Sequence, residues 1–284
     1  MIHVCLSHDI DRIEKSYQYL TKPMRALKNG KFKLFFKLLW LAVSIRRPYW
    51  GFDEIMRIED SYGVRSTCFF LNESIKPQWN IPKSWKLAFG RYDIHDKRIV
   101  HIIRELDSGG WEIGVHGSFL SSDNEDLLRQ EKKTLEEIVG HDVIGIRQHY
   151  LNMSDKTFCI HQRCGFKYDS TWGLTDGIGF KEGKVCPFFP VQDSDYCEIP
   201  LTIMDSPFSE TPDKWLRFEK IVDEIDCNNA YLVINYHNNN FSNSELLDYN
   251  RDYVHMIELL RKRGAQFLTM GEAYRQITAH RYSN

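Results

Sequence analysis

The stretch Ile2-His3-Val4-Cys5-Leu6-Ser7-His8-Asp9-Ile10-Asp11 decides the fold, because an apolar run ends there in a group of polar, chemically capable residues. Six later apolar runs end in the same way, and they begin at positions 67, 111, 143, 166, 199 and 231. When buried parallel strands alternate with helices, the carboxyl ends of the strands gather on one face, where barrel enzymes place their chemistry. We therefore expect these polar residues to form the rim of one active site.

The segments between the runs have helical patterns. Five of them are predicted to be helices: Phe52 to Tyr62, Lys97 to Leu106, Asp123 to Val139, Thr211 to Ile225 and Ser244 to Arg263. Strands that alternate with helices predict an α/β fold with a parallel sheet, and seven or eight strands predict a closed or nearly closed barrel. A chain of 284 residues without a low-complexity linker is expected to form one domain, 1-284. The long loop from Asn72 to Asp96 is expected to be a wall on the substrate side.

Composition excludes some partners and favours one compartment. A net charge of -2 and a pI near 6.6 provide no concentrated basic surface, so we expect no nucleic-acid partner. The seven cysteines include no pair at the spacing of a zinc knuckle or redox motif, which is typical of reduced thiols in a cytoplasmic protein. The chain enters a strand at Ile2 without the sections of a signal peptide, so secretion by that route is not expected.

A basic and apolar segment around residues 24–47 is predicted to be a helical insertion. Its apolar part, Phe32 to Ile45, is shorter than the ~20 residues that cross a bilayer. Lysines and arginines flank it, which suits a helix lying in the interface of the inner membrane. The alternative interpretation is a helix that covers the barrel wall or a partner's surface.

Asp9 and Asp11 end the first run with one residue between them, so an extended chain turns both carboxylates to the same side. Two anions in close proximity are unfavourable unless a cation separates them or one takes a proton. The functional interpretation assigns one to a metal and the other to general-base catalysis. The alternative is a loop entering a helix, with Asp11 as its N-cap.

Three histidines, His116, His149 and His237, follow other runs. Imidazole and carboxylate ligands from separate strands are how barrels build metal sites, so His116 and His149 are candidate ligands beside Asp11. His237 suits general-acid catalysis, because its ordinary pKa lies near working pH. Structural hydrogen bonding and a place in a surface loop are the alternatives for these residues.

Six motifs, "SHDID", "EIGVHGS", "GIRQHY", "YDST", "EIPLTIMD" and "LVINYHNN", occur in this order along nearly the whole chain. This set resembles the polysaccharide deacetylase, or NodB-homology, family, in a branch whose first motif is His-Asp-x-Asp. The resemblance implies a distorted (β/α) barrel that hydrolyses N-acetyl or N-formyl groups on sugars with a divalent metal, most often Zn²⁺. It also implies these roles: Asp9 as general base, Asp11 and His116 as metal ligands, Arg147 as the brace of the base, the Tyr150 backbone N–H as an oxyanion donor and His237 as general acid.

Two departures from the family pattern affect the site. The position of the family's second metal-binding histidine is Leu120, which cannot bind a metal. We expect His149 to supply the third ligand, with Ser121, Ser122 or Asp123 as alternatives. Ile10 separates two aspartates that are adjacent in most of the family, so Asp9 and Asp11 could exchange roles.

The resemblance thus predicts a metal-dependent carbohydrate N-deacetylase, which removes an acetyl or formyl group from a sugar during bacterial surface glycan biosynthesis. The sugar is expected to be nucleotide-linked or lipid-linked, and the protein to be cytoplasmic or peripheral at the cytoplasmic membrane face. Because of Leu120, a catalytically silent barrel that binds glycan or a biosynthetic partner is the alternative. A metal-independent hydrolase of a non-sugar amide is a third interpretation.

Overall fold

The structure is a computed structural model that describes residues 1–14, 18–28, 30, 32–44, 49–76, 79–80, 85, 87–88, 90–241 and 247–283. Its strands are β1 His3–Ile10, β2 Thr67–Leu71, β3 Glu112–Gly117, β4 Gly145–Gln148, β5 Tyr168–Asp169, β6 Cys197–Glu198, β7 Ile203–Met204, β8 Tyr231–Asn235 and β9 Gln266–Leu268. Its helices are α1 Gln18–Lys28, α2 Phe32–Ser44, α3 Phe52–Tyr62, α4 Lys97–Ser108, α5 Glu125–Val139, α6 Thr157–Arg163, α7 Asp205–Glu210, α8 Lys214–Cys227, α9 Leu247–Lys262 and α10 Met270–Ser283.

The strands form one parallel sheet in the order β6-β5-β4-β3-β2-β1-β8-β7. β9 pairs with the first part of β1, while β2 pairs with its later part from Ser7 to Ile10. The sheet curls into a barrel with a seam between β6 and β7, which are not paired in the described part of the chain. The predicted (β/α) barrel is therefore confirmed, in a distorted and open form.

Side chains alternate along β1 between the inside and the outside of the barrel. Val4 and Leu6 pack outward in the apolar cluster of α8, α9 and their neighbours. Cys5 lies in a separate interior cluster with Val233 and Leu268. Because side chains alternate with a period of two, Ser7 and Asp9 also point into the barrel, beyond the apolar cluster that contains Cys5.

Three strands extend further than the sequence pattern predicts. Asp9, His116 and Arg147 lie within β1, β3 and β4 rather than after them, and His116 is paired in register with Arg147. Their polar side chains point into the barrel, while their backbone groups stay paired with the neighbouring strands. The predicted strand from Ile199 to Leu201 is wrong: β6 ends before it and β7 begins after it. Pro200, which has no N–H to donate to a ladder, lies between them.

The helices also differ from the predictions in detail. The predicted helical insertion around 24–47 contains two helices, and the first, α1, begins earlier, at Gln18, and includes Pro23. The predicted helix from Thr211 begins at Lys214, and the short α7 precedes it. The first residues of the predicted helix from Ser244 lie outside the described residues. Residues 11–14 are not helical, so Asp11 caps no helix. In the described part of the chain, each helix is too short or too polar to cross a membrane.

Candidate active site

Arg147 is the centre of the polar layer inside the barrel. Its Nη1 donates to Asp9 Oδ1 and Ser7 Oγ, both at 2.9 Å, and to Asn235 Oδ1 at 3.0 Å. Its Nε donates to the Ser170 carbonyl at 2.9 Å, and the guanidinium lies 4.5 Å from the ring centre of Phe69. The side chain is fully buried, so these contacts fix both its position and its charge.

Asp9 is oriented through both carboxylate oxygens. Oδ1 accepts from Arg147, and Oδ2 accepts from Asn235 Nδ2 at 2.8 Å. Burial raises the pKa of Asp9, but Arg147, and then His116 and His237, outweigh it and keep the pKa below its ordinary value. Asp9 is therefore an ionised carboxylate in a fixed direction. Asn235 was not predicted, although its inward position two residues before His237 is a signal that alternation provides.

Asp11, His116 and His149 come together at the mouth of the barrel, with one potential ligand atom from each within 4.8 Å of the others. His116 Nε2 lies 3.2 Å from Asp11 Oδ1, and His149 Nε2 lies 3.5 Å from Asp11 Oδ2. His116 Nε2 also lies 3.9 Å from Asp9 Oδ2, so both aspartates reach the same imidazole. Burial would raise the pKa of Asp11, but the two imidazoles hold it well below its usual range.

These three residues fit a divalent metal. His116 Nδ1 lies 2.8 Å from the Arg147 carbonyl, which only an N–H can satisfy, so Nε2 is the ring nitrogen left to bind a metal. That nitrogen faces Asp11 Oδ1, a buried oxygen without a hydrogen-bond partner among the described residues. Two lone-pair atoms in this position require a proton or a cation between them. Two imidazole nitrogens and a carboxylate are a ligand set that Zn²⁺ accepts.

The alternatives for the third ligand do not join this cluster. Ser121 donates to the Ser118 carbonyl, Ser122 donates to the Phe119 carbonyl, and Asp123 accepts from Ser154. Leu120 is 54% exposed.

Tyr150 follows β4 with φ 61°, and its ring lies 4.2 Å from that of His149. The oxyanion role of its N–H stays a prediction.

His237 is held by Asp205, the first residue of α7. Its Nδ1 lies 3.0 Å from both carboxylate oxygens, and its backbone N–H donates to Oδ2 at 2.7 Å. Asn240 Nδ2 also donates to that oxygen. Burial lowers the pKa of His237, but Asp205, with smaller contributions from Asp11 and Asp9, raises it to about 10. The ring therefore carries a proton beside the Asp9 and Asp11 carboxylates, as a general acid requires.

Arg91, in the loop after β2, was not predicted to belong to the site. Its Nη2 lies 3.1 Å from His149 Nε2, and its Nη1 donates to the Asp11 carbonyl at 3.1 Å. The guanidinium also lies 3.9 Å from the Asp11 carboxylate. It lines a polar cavity of about 270 Å³ together with Ile13, Glu14, Gly90, Tyr92, Asp93, Asp96 and Arg98. Arg91 therefore lies between this cavity and the cluster of Asp11, His116 and His149, and it places a positive charge next to that cluster.

Replacing Arg91 by glutamine is expected to tighten divalent metal binding about tenfold, which corresponds to about 1.4 kcal/mol. The change removes a cation that repels the metal and competes for His149 Nε2. Isothermal titration with Zn²⁺ measures the affinity. Arg98→Gln is the matched control, because Arg98 lines the same cavity but pairs with Asp96 and Glu14. Weaker or unchanged binding in Arg91→Gln would contradict this account.

Glu131, on α5, supports the loop that follows His116. One oxygen accepts from the Ser118 N–H at 3.1 Å, and the other is buried without a partner among the described residues. Burial raises the pKa of Glu131 to about 7 from 4.5, against hydrogen bonds from Ser118 and Ser121. Below about pH 7 the protonated acid is therefore the form that the folded protein favours.

Glu131→Gln is expected to flatten the pH dependence of stability. Between pH 4.5 and 7 the folded state keeps a proton that the unfolded chain loses, so rising pH costs up to about 3 kcal/mol of stability. Glutamine cannot ionise, so the variant should exceed the wild type above pH 7 and match it near pH 4.5. Urea unfolding across this range measures the difference, with exposed Glu137→Gln as control. Parallel pH profiles for Glu131→Gln and the wild type would refute the assignment.

The fold has known counterparts. A protein named as a polysaccharide deacetylase from Mycobacterium smegmatis superposes with a TM-score of 0.62 and 18% identity, over 99% of this chain and 91% of that one. An allantoinase, Puue, gives 0.58 and 13% over 98% and 90%. A protein named as a polysaccharide deacetylase from Pseudomonas aeruginosa PAO1 gives 0.57 and 13% over 96% and 90%. No sequence-family model and no curated protein matches the chain significantly. The chain therefore has the NodB-like fold of polysaccharide deacetylases.

Proposed function

We propose that this protein is a metal-dependent hydrolase that removes an N-acyl group from a sugar. The observation that carries the proposal is the unpartnered Asp11 oxygen facing His116 Nε2, with His149 beside it. An oriented carboxylate, Asp9, lies 3.9 Å from His116, and a protonated imidazole, His237, interacts electrostatically with Asp11 and Asp9. The site therefore combines a candidate cation site, a base and an acid, a combination that can hydrolyse an amide.

The contacts support the following roles. Asp11, His116 and His149 would hold a Zn²⁺ ion, which would supply Lewis-acid polarisation of the amide carbonyl and lower the pKa of water to about 7. Asp9 accepts the proton of the attacking water, and Arg147 holds its carboxylate in place. His237 gives its proton to the amide nitrogen as the C–N bond breaks, and Asp205 keeps that imidazole oriented. The products are a free amine on the sugar and a carboxylic acid.

The substrate is proposed to be an N-acetyl or N-formyl sugar in bacterial surface glycan biosynthesis at the cytoplasmic face of the membrane. The polar cavity beside Arg91 suits sugar hydroxyls better than an apolar ligand. The structural neighbours named as polysaccharide deacetylases support a sugar. The neighbour named as an allantoinase makes a non-sugar amide the second candidate.

Amine release from a panel of N-acetyl and N-formyl sugars, together with carboxylate formation from allantoin as the non-sugar member, tests the proposal. We expect hydrolysis of a sugar, loss with a chelator and recovery with Zn²⁺. Activity that survives chelation would reject the metal, and hydrolysis of allantoin alone would reject the sugar. Absence of any hydrolysis by the metal-loaded protein would instead favour a silent glycan-binding barrel.

A further inference from the structure

The helical hairpin α1–α2 has a charge unlike the rest of the protein. Residues 15–52 contain nine of the 37 lysines and arginines and none of the 39 acidic residues, so this segment carries +9. Because the net charge of the chain is -2, the remainder carries -11. Such a separation is typical of a segment that binds an anionic surface.

The same hairpin exposes a large apolar surface. Half of the exposed large apolar side chains in the described part of the protein lie on it, with 44% to 67% of each accessible: Met24, Leu27, Phe32, Phe36, Leu39 and Trp40. The four on α2 follow helical spacing and form one stripe, whereas Leu38 is buried on the opposite side. Exposed lysines, Lys33 and Lys37, lie along the border of this stripe.

We infer that the stripe on α2 docks the protein on an anionic lipid bilayer. Aromatic and aliphatic side chains with a lysine border are the chemistry of a helix that lies in a membrane interface. Charge decides against a second copy of the chain, since two such faces would bring two +9 segments together. Neither helix of the hairpin is long enough to cross the bilayer, so the contact is peripheral.

The hairpin is attached at the rim of the candidate active site. Asn238, the residue after His237, donates from Nδ2 to the carbonyl of Arg12 at 2.9 Å and to that of Tyr49 at 3.0 Å. One buried amide therefore holds both ends of the insertion beside the general acid. Because the insertion begins and ends beside the general acid, docking through it keeps the candidate site near the bilayer, and, given the proposed function, the acyl sugar is one carried on a lipid.

Vesicle flotation tests the docking without reference to activity. The wild type should float with vesicles of phosphatidylcholine and phosphatidylglycerol, bind less at high salt and bind weakly to phosphatidylcholine alone. The double variant Phe36→Ser, Trp40→Ser should bind at least tenfold more weakly to anionic vesicles. Lys33→Gln, Lys37→Gln should lose several-fold on anionic vesicles and nothing on neutral ones.

The matched control is Leu216→Ser, Lys220→Gln, which removes an exposed leucine and an exposed lysine from α8 and should float like the wild type. No flotation of the wild type, or equal flotation of the Phe36, Trp40 variant, would overturn the docking. A dimer in sedimentation that the same variant abolishes, without vesicle binding, would also overturn it.

Hydrolysis tests the substrate class separately. The same N-acyl sugar is offered on a lipid diphosphate in vesicles and on a nucleoside diphosphate in solution. The wild type should favour the lipid form, and Phe36→Ser, Trp40→Ser should lose that preference while keeping its rate on a soluble acyl sugar. A preference for the nucleotide form would overturn the inference. Inactivity on every acyl sugar would remove the proposed function, and with it the inferred carrier, while the vesicle result would stand.

Discussion

Replacing Asp11 or His116 by alanine is expected to abolish stoichiometric divalent metal binding and to lower kcat/KM by on the order of 10³-fold or more. Metal polarisation supplies several kcal/mol to the transition state, and each 1.36 kcal/mol is a factor of ten. Each change leaves two of the three potential ligands that the structure brings together. Metal analysis after zinc addition and dialysis, together with amine release, measures both effects.

His149→Ala belongs to the same series, because it decides whether this residue replaces the ligand missing at Leu120. We expect it to lose metal as the other two variants do. The control is His141→Ala, an exposed histidine that pairs with Asp107 outside the site. A wild type that binds no metal even with added zinc would reject the site, whereas metal retained only in His149→Ala would leave Asp11 and His116 with water as the third ligand.

Asp9→Asn is expected to lower kcat by about 10² to 10⁴-fold, the range that a general base contributes. Asparagine keeps the size of the side chain and can still accept from Arg147 through its amide oxygen, but it offers no second acceptor to Asn235 Nδ2 and cannot take the proton of water at neutral pH. Metal binding should persist, because Asp9 lies outside the ligand cluster. This separates its role from that of Asp11, and a variant that instead loses metal and keeps the general-base pH profile would mean the two roles are exchanged.

The control for Asp9→Asn concerns stability, since Arg147 loses its anionic partner. Removing one member of a buried ion pair costs about 3 to 5 kcal/mol in the unfavourable limit. Ser7, Asn235 and Ser170 still accept from the guanidinium, so we expect the fold to survive with a lower melting temperature. Circular dichroism and thermal unfolding check this. Wild-type activity in a folded variant would refute Asp9 as the base.

The barrel was predictable from sequence because its signals are local. Apolar runs that end in polar residues mark inward positions of parallel strands, and the spacing of Asp9 and Asp11 places both carboxylates on one side. Strand ends were less predictable, because His116 and Arg147 continue the ladder although their side chains are polar. Polarity of a side chain does not report whether its backbone stays paired.

The other contributors to the site could not be predicted because they depend on tertiary contact. Arg91 belongs to a loop without periodicity, and only folding brings it to His149. In the sequence, Glu131 is one of several acidic residues on an amphipathic helix. Only its burial beside Ser118 in the fold raises its pKa. Asp205 ends the motif EIPLTIMD, but its pairing with His237 requires β7 and β8 to be neighbours.

Arg147 fixes, from inside the barrel, the strands that surround the candidate site. One guanidinium ties β1 and β8 to the end of β5 from within, so the mouth cannot widen by parting these strands. Any substrate selectivity must then come from the segments that surround the barrel mouth. Asn238 holds Arg12 and Tyr49, at the two ends of the insertion, so exchanging the segment between them should change the surface on which the protein docks and leave the polar layer around Arg147 intact.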